Sequence, residues 1–305
     1  MKDVPPTKYP SVTDPGIRAF LAEGERLYPA DAVSFTMAEQ RAFYDRYCAH
    51  FRKPRPAGIA VEDFSVGHVP CRRYRPAPAG GAPVLYLHGG GYVVGGLDSH
   101  DDICAELAAG AATDVIAVHY LLAPEHPFPA ALEDAWAVMA QLLAEGRGVV
   151  LAGDSAGGNL SAALAIRARD EGVGPIKGQV LIYPGLGGDH TQGSYITQAH
   201  APGLSTADVL YYRDVYKGAP HKLAEPLRET DFSRLAPAFL VAAGIDPLHD
   251  DCLAYAERLK AAGVAVEVRD EPLLVHAFLR ARHISRPAAE SFAAIVRALK
   301  DFARR

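Results

Sequence analysis

The sequence predicts an α/β fold in which a mostly parallel sheet is flanked by helices. Short apolar runs typical of strands recur at 84–87, 115–118, 149–151, 180–183, 238–241 and 264–268. Stretches with helical spacing lie between them, at about 100–112, 130–145, 156–170, 249–262 and 287–302. This alternation indicates a parallel sheet, because two parallel strands need a long connection, usually a helix, between them. Helices then cover both faces of the sheet.

Length and composition are those of one large globular domain. The 305 residues are 49% hydrophobic and 22% charged, so there is enough apolar material for a core. The net charge is −5 without a basic block, which disfavours nucleic acid or an anionic membrane as partner. No apolar run approaches the roughly 20 residues that span a bilayer. Residues 1–6 lack the apolar segment of a signal peptide. The four cysteines are scattered, as is typical of reduced thiols in a cytoplasmic protein.

The first 58 residues are predicted to form helices that cap the sheet domain. Asp14 and Pro15 form a good start for one helix, and Thr36 with Glu39 forms a capping box for the next. This segment is rich in aromatic residues, which suits the cover of an apolar pocket. After a Pro-rich linker, two short strands at 60–66 and 69–74 turn at Gly67 and are expected to enter the sheet antiparallel.

One connection in the sheet domain is long enough to be a second part of the cap. Residues 185–222 lie between two strands, and a helix is predicted from Ser205, with Asp208 in its first turn. Long connections in compact domains are usually functional. The predicted organisation is therefore a cap at 1–58 and a main domain at 59–305, with a cap insertion at about 185–222.

A G-x-S-x-G motif at 153–157 lies between an apolar run and a helical stretch. A tight turn from strand to helix exposes the serine hydroxyl, and glycines on either side leave the room that the turn needs. Serine becomes an effective nucleophile only when a base removes its proton. The motif alone also fits a structural turn, but its strand and helix context favours Ser155 as a nucleophile.

Three successive glycines follow His88, directly after the strand at 84–87. Glycine N–H groups can face a ligand without obstruction, and fixed N–H donors stabilise the negative charge that develops on an attacked carbonyl. We expect Gly89 and Gly90 to donate to such an oxyanion, with the N–H of Ala156 as a third donor. The alternatives are a flexible loop or a phosphate nest, which the lack of a GKS signature disfavours.

An acid and a base are predicted on two further loops at the ends of strands. Asp246 follows the strand at 238–241, and His276 follows the last strand. The order serine, acid, histidine suits the strand–turn–helix arrangement around Ser155. Three weaker candidates are Asp250, Asp251 and His283. The two acids lie in the first turn of a helix, where they interact favourably with the helix dipole, and the histidine lies in an Arg-rich segment.

Two clusters of histidine and aspartate, at 100–102 and 249–251, superficially suggest metal ligands. Adjacent side chains on a helix point in different directions. A structural role is therefore expected for both clusters, and no metal site is predicted.

Ordered motifs along the chain resemble those of the bacterial hormone-sensitive-lipase-like (HGGG, family IV) carboxylesterases. They lie at 88–92, 97–101, 122–130, 153–159 and 246–248. The resemblance implies the α/β-hydrolase fold, with an eight-stranded sheet and a helical cap. It also implies ester hydrolysis by Ser155, His276 and Asp246 without a cofactor. Some relatives are receptors that have lost the histidine, whereas this chain retains it.

Three positions depart from the family pattern. Leu121 stands where the family usually has arginine, and both Leu273 and Ala277 stand where it usually has glycine. The first change removes or rearranges ionic partners. The other two could alter the loop that carries His276 and the pocket beside it.

The resulting hypothesis is a serine carboxylesterase that cleaves small-molecule esters with short to medium acyl chains. An amidase, formamidase or specific deacetylase could use the same triad, and a non-catalytic ligand receptor could use the same scaffold. The resemblance also allows a homodimer formed through the sheet edge near the last strand.

Overall fold

The computed structural model describes residues 9–29 and 31–305, and its centre is one eight-stranded sheet. The strands are β1 (Ala60–Val66), β2 (Val69–Arg75), β3 (Val84–Leu87), β4 (Val115–Val118), β5 (Val149–Asp154), β6 (Ile176–Ile182), β7 (Ala238–Ile245) and β8 (Val266–Val275). Their order across the sheet is β1-β2-β4-β3-β5-β6-β7-β8. The pairs β1–β2 and β2–β4 are antiparallel, and the others are parallel. The predicted sheet is confirmed.

Helices cover both faces of this sheet. They are α1 (Pro15–Leu27), α2 (Met37–Phe51), α3 (Asp101–Ala111), α4 (Ala130–Ala144), α5 (Ala156–Glu171), α6 (Ser194–Thr197), α7 (Thr206–Tyr216), α8 (His249–Ala261) and α9 (Arg286–Ala303). Alternate residues of β3 enter different core layers because side chains alternate across a strand. Tyr86 packs in the layer beneath α1, α3 and α9, whereas Leu85 packs in the layer beneath α4 and α5.

Helix starts follow the local capping signals. The Asp14 carboxylate accepts a 2.8 Å hydrogen bond from the N–H of Ile17 at the start of α1. Thr36 with Glu39, and Ser205 with Asp208, form reciprocal capping boxes at α2 and α7. These bonds satisfy N–H groups that have no partner inside the helix.

The last strand is longer than predicted. The apolar pattern indicated 264–268, but β8 runs from Val266 to Val275, so His276 follows the strand directly. β8 is an edge strand, and such strands carry charged residues on their unpaired side. Because residues 269–271 are charged, the apolar pattern did not predict the second half of the strand.

The helices of the two predicted cap segments approach each other. The Gln40 side chain of α2 donates to the hydroxyl of Tyr211 in α7 at 2.9 Å. Residues of α1, α2 and α7 line a common cavity with Ser155. The expectation about a signal peptide concerns residues 1–6, which lie outside the described residues, as do residues 7, 8 and 30 of the predicted cap.

Two further predictions concern cysteines and membrane spans. All four cysteines are free and buried, as expected. None of the helices in residues 9–29 and 31–305 combines the length and hydrophobicity needed to cross a bilayer.

Candidate active site

Ser155 occupies a sharp turn between β5 and α5. Its φ of 54° and ψ of −119° lie in a region that non-glycine residues rarely adopt. A Cβ on Gly157 would overlap the backbone carbonyl of Leu87, and one on Gly153 would overlap the backbone of Gly157. The strained serine is therefore held by close backbone packing that only glycine permits.

His276 links Ser155 to Asp246. Its Nε2 lies 2.9 Å from Ser155 Oγ, and its Nδ1 lies 2.6 Å from Asp246 Oδ2. Asp246 is fully buried, and its other oxygen accepts a hydrogen bond from the N–H of Leu248 at 2.9 Å. A carboxylate at Nδ1 requires the proton there, which leaves Nε2 free to accept the serine proton. The structure thus brings the three predicted residues together.

The turn after His276 contains one of the departures from the family pattern. Ala277 has φ 59° and ψ 21°, which is the left-handed conformation that favours glycine. The His276 ring packs 4.8 Å from the ring of Tyr183, which in turn meets Phe278 edge-on. The histidine therefore keeps its position beside Ser155 although alanine replaces glycine next to it.

The prediction for Gly89 is wrong. Its N–H donates a 3.0 Å hydrogen bond to the buried carboxylate of Asp154, so it is not available to an oxyanion. Gly90, Gly91 and Ala156 line the cavity beside Ser155. Among the residues that the structure describes, the N–H groups of Gly90 and Gly91 have no protein acceptor. The sequence argument missed Gly91, although the third glycine was visible in the motif.

Asp154 is a second residue that sequence reasoning missed. Its Oδ1 accepts hydrogen bonds from the Tyr86 hydroxyl at 2.8 Å and from Gly89, and the His100 Nε2 lies 3.3 Å away. Burial alone raises the pKa of Asp154, but His100 and Tyr86 outweigh it, so the pKa lies below its usual value. A buried carboxylate therefore anchors the glycine loop from behind.

His88, at the start of the glycine loop, is neutral. Burial lowers its pKa to about 3, so the ring stays uncharged at neutral pH. Its Nδ1 lies 2.9 Å from the Gly89 carbonyl, to which it donates, and its ring stacks on Tyr120 with centroids 4.3 Å apart. These contacts make His88 a support of the loop rather than a second base.

The weaker candidates have other partners. Asp250 accepts from the N–H of Ser194 at 2.8 Å, and His283 contacts Glu106 at 2.9 Å. Asp251 is buried on α8 and accepts hydrogen bonds from the backbone after β6. The cluster at 100–102 is also structural, since its two acids pair with arginines.

The two remaining departures from the family pattern lie outside the triad. The backbone N–H of Leu121 donates to Asp134 at 2.8 Å, and the ring of His68 contacts the same carboxylate at 2.9 Å. The Asp134 carboxylate therefore contacts both the Leu121 backbone and the His68 ring. Leu273 is 42% exposed on β8.

The triad opens on a cavity of about 570 Å³. One wall is aromatic and belongs to α1, α2 and the turn after α1, with Phe20, Tyr28, Tyr44 and Tyr47. The opposite wall includes Arg213, whose Nε donates to Glu225 at 2.7 Å. A mostly apolar cavity with a few polar groups is typical of small-molecule sites, and a strained serine, a paired histidine and free N–H groups suit acyl transfer.

Comparisons with known proteins agree with this geometry. Residues 84–280 match the profile of a family described as "alpha/beta hydrolase fold". The chain is 42% identical over 248 residues to Esterase LipI of Mycobacterium tuberculosis, which covers 75% of this chain and 78% of the relative. It is 39% identical over 253 residues to an ethyl acetate hydrolase of Pseudomonas putida, covering 77% and 79%.

A solved structure is similar over almost the whole chain. The hyperthermophilic esterase of the archaeon Pyrobaculum calidifontis superposes with a TM-score of 0.85 at 32% identity, covering 95% of this chain and 98% of that one. The family match and these relatives extend over the strands and loops that carry the site. The chain therefore belongs to the α/β-hydrolase family, in its hormone-sensitive-lipase-like group of carboxylic ester hydrolases.

Proposed function

We propose that this protein hydrolyses esters with short to medium acyl chains through an acyl-enzyme formed on Ser155. The main support is the pair of hydrogen bonds that link Asp246 to His276 and His276 to Ser155 Oγ, which lies at the cavity. The name of one relative, ethyl acetate hydrolase, supports a short acyl group.

In the first step, Ser155 Oγ attacks the ester carbonyl carbon while His276 Nε2 takes its proton. Asp246 keeps the other ring proton on Nδ1 and stabilises the imidazolium that forms. The tetrahedral intermediate collapses when the imidazolium protonates the leaving alcohol oxygen. The product of this step is an acyl-serine ester and a free alcohol.

In the second step, His276 takes a proton from water, and the hydroxide attacks the acyl-serine. The carboxylic acid leaves as Ser155 regains its proton. The N–H groups of Gly90, Gly91 and Ala156 serve as oxyanion donors in both steps in this proposal. Removal of one such donor typically raises the barrier by about 3–4 kcal/mol.

Residues 1–58 and 185–222 act as the cap in this proposal. Support comes from the contact of Gln40 with Tyr211 and from the aromatic wall that the first segment gives to the cavity. A cavity of about 570 Å³ suits a small ester rather than a triglyceride. The cap therefore sets how long an acyl or alcohol chain can be accommodated.

Homodimerisation and a cytoplasmic location complete the proposal. Among the strands of residues 9–29 and 31–305, β8 pairs only with β7, so its other edge is open to a second copy, and Leu273 is exposed on this strand. The free buried cysteines suit a reducing compartment. Light scattering on the purified protein tests the dimer, since a monomeric mass would contradict it.

The test of the proposed function is a substrate panel. Nitrophenyl esters from acetate to dodecanoate are assayed beside aryl amides and formamides, with wild type and Ser155→Ala. A serine-reactive fluorophosphonate probe is applied to both. We expect ester turnover that is greatest for short to medium chains, loss of at least a thousandfold in Ser155→Ala, and probe labelling of wild type only.

Three outcomes would contradict this assignment. Ester turnover retained in Ser155→Ala would remove the nucleophile from the proposal. Faster turnover of amides or formamides than of esters would favour the amidase alternative. Binding of esters without turnover or probe labelling would favour a receptor.

A further inference from the structure

In the part of the chain that the structure describes, Arg280 is a buried cation with no carboxylate within ion-pair distance. It lies in the short turn Phe278–Ala281, four residues after His276, and is 5% exposed. Its nitrogens form no ion pair with any Asp or Glu of the described residues. Burial of a charge without an ionic partner is costly, so stabilisation of the fold does not readily account for arginine here.

The guanidinium of Arg280 instead contacts elements that surround the active site. Nη1 donates to the Ser99 carbonyl at 2.8 Å, just before α3. Nη2 donates to the Tyr44 hydroxyl of α2 at 3.2 Å. The guanidinium carbon lies 5.6 Å and 5.8 Å from the ring centroids of Tyr44 and Tyr47, which line the cavity. Cation–π attraction of this kind is favourable in buried positions.

The contacts of Arg280 continue to the serine turn. Nη2 lies 3.5 Å from His100 Nε2, and the same ring nitrogen lies 3.3 Å from the Asp154 carboxylate. Asp154 precedes Ser155 and accepts the hydrogen bond from Gly89. Arg280, which belongs to the histidine loop, therefore contacts the aromatic wall and the segment before α3, and it lies beside the His100 ring that meets the Asp154 carboxylate.

We propose that Arg280 is a positioning residue that fixes the His276 loop relative to Ser155 and the wall of α2. This inference rests on the proposed function, because it concerns the geometry of that triad. The arginine fork can donate in two directions at once, which a lysine cannot do with the same geometry. A displacement of about 1 Å in a catalytic group can cost about a hundredfold in rate. Loss of Arg280 should therefore lower kcat without preventing folding.

Neighbouring Arg282 provides a contrast. It pairs with Asp102 at 2.6 Å and Glu106 at 2.7 Å, so it ties the same segment to α3 by ion pairs. Removal of Arg282 would take the ionic partner from the buried Asp102 carboxylate, which is strongly destabilising. Removal of Arg280 leaves no carboxylate without its direct partner, so Arg280→Met is expected to fold.

The experiment compares Arg280→Met and Arg280→Lys with wild type, and uses the exposed Arg286→Met as matched control. Active sites are counted by fluorophosphonate titration, so that kcat refers to folded, competent enzyme. We expect kcat on a nitrophenyl ester to fall about 10- to 100-fold in Arg280→Met, with KM within twofold of wild type. Arg280→Lys should recover at least threefold over Met, and Arg286→Met should match wild type.

One result would overturn the proposal, namely a kcat per titrated site in Arg280→Met within twofold of wild type. Any loss of total activity would then disappear after correction for the titrated fraction, which would mean a purely structural role. Failure of the proposed function looks different, because wild type itself would then lack ester turnover or Ser155→Ala would retain it.

Discussion

Ala277 holds a left-handed backbone conformation beside His276. Alanine in this conformation costs about 1–2 kcal/mol, and glycine avoids that cost but loses about 0.4–1 kcal/mol through the greater freedom of the unfolded chain. We therefore expect Ala277→Gly to raise the free energy of unfolding by about 0.5–1 kcal/mol. Its kcat should stay within twofold, because Asp246 still holds the His276 ring. Urea denaturation and ester kinetics measure the two effects.

The matched control for Ala277→Gly is Ala293→Gly, at an exposed position inside α9. There the same change should lower the free energy of unfolding by about 1 kcal/mol, because glycine is a poor helix former. Equal destabilisation of both variants would mean that the left-handed conformation of Ala277 carries no strain.

The glycine loop shows that a motif can predict a function without showing which of its residues perform it. Gly89, Gly90 and Gly91 are chemically identical, so the motif predicts N–H donors but cannot say which of them face the substrate. The path of the backbone decides this, and it turns the first N–H toward Asp154. By contrast, Ser155, Asp246 and His276 were predicted from motifs and from their order after strands, and the structure brings their side chains together.

At the scale of elements, Asp251 of α8 holds the start of the 185–222 connection. Its Oδ2 accepts hydrogen bonds from the N–H of Leu186 at 2.6 Å and from the Tyr195 hydroxyl at 3.0 Å. Burial nevertheless raises its pKa to about 6. The side chain therefore ties α8 to this connection, although its charged form is disfavoured by burial.

This raised pKa has a defined effect on stability. The folded pKa of about 6 exceeds the model-peptide value of 3.8, so the folded protein binds the proton more tightly than the unfolded chain. The contribution of Asp251 to the free energy of unfolding is greatest at low pH and is lost as pH rises from about 4 to 6. We expect Asp251→Asn to lack this loss. Urea denaturation at several pH values between 4 and 8 measures it.

The test of Asp251→Asn is how the free energy of unfolding changes with pH, rather than its value at one pH. The difference in free energy of unfolding between variant and wild type should increase from about pH 4 to 6 and then level off. A constant difference across this range would show that Asp251 does not titrate there.

Helix starts could be predicted from the sequence because capping residues lie close to them in the chain. The starts of α1, α2 and α7 follow from capping residues a few positions apart. The second half of β8 was not predictable, because its charged side chains suit an edge strand only once its place in the sheet is known.

At the scale of the whole molecule, the cavity depends on segments that are distant in the chain. The ring of Tyr28 after α1 packs edge-on against Tyr44 and Tyr47, and it lines the cavity together with Tyr212 of α7. No local pattern predicts that these residues meet. The sequence could therefore indicate a cap and an apolar site, but not the length or shape of the space above Ser155.

We expect Tyr28→Ala to lengthen the cavity between α1 and α7. The preferred acyl chain in the nitrophenyl series should become longer by two or more carbons, because the ring no longer blocks this side. Tyr28→Phe is the matched control, since it keeps the ring and loses only the hydroxyl. An unchanged chain-length profile in Tyr28→Ala would mean that substrate does not reach this part of the cavity.

The close packing of the serine turn limits how this protein can vary. Every single-nucleotide substitution that replaces a glycine gives either a stop codon or a residue with a Cβ. At Gly153 and Gly157 that atom would overlap neighbouring backbone. A single-nucleotide substitution that replaces either glycine is therefore not tolerated, although neither glycine contributes a reacting group. Changes of substrate range must arise in the cavity walls, where Tyr28 can be replaced without moving the serine.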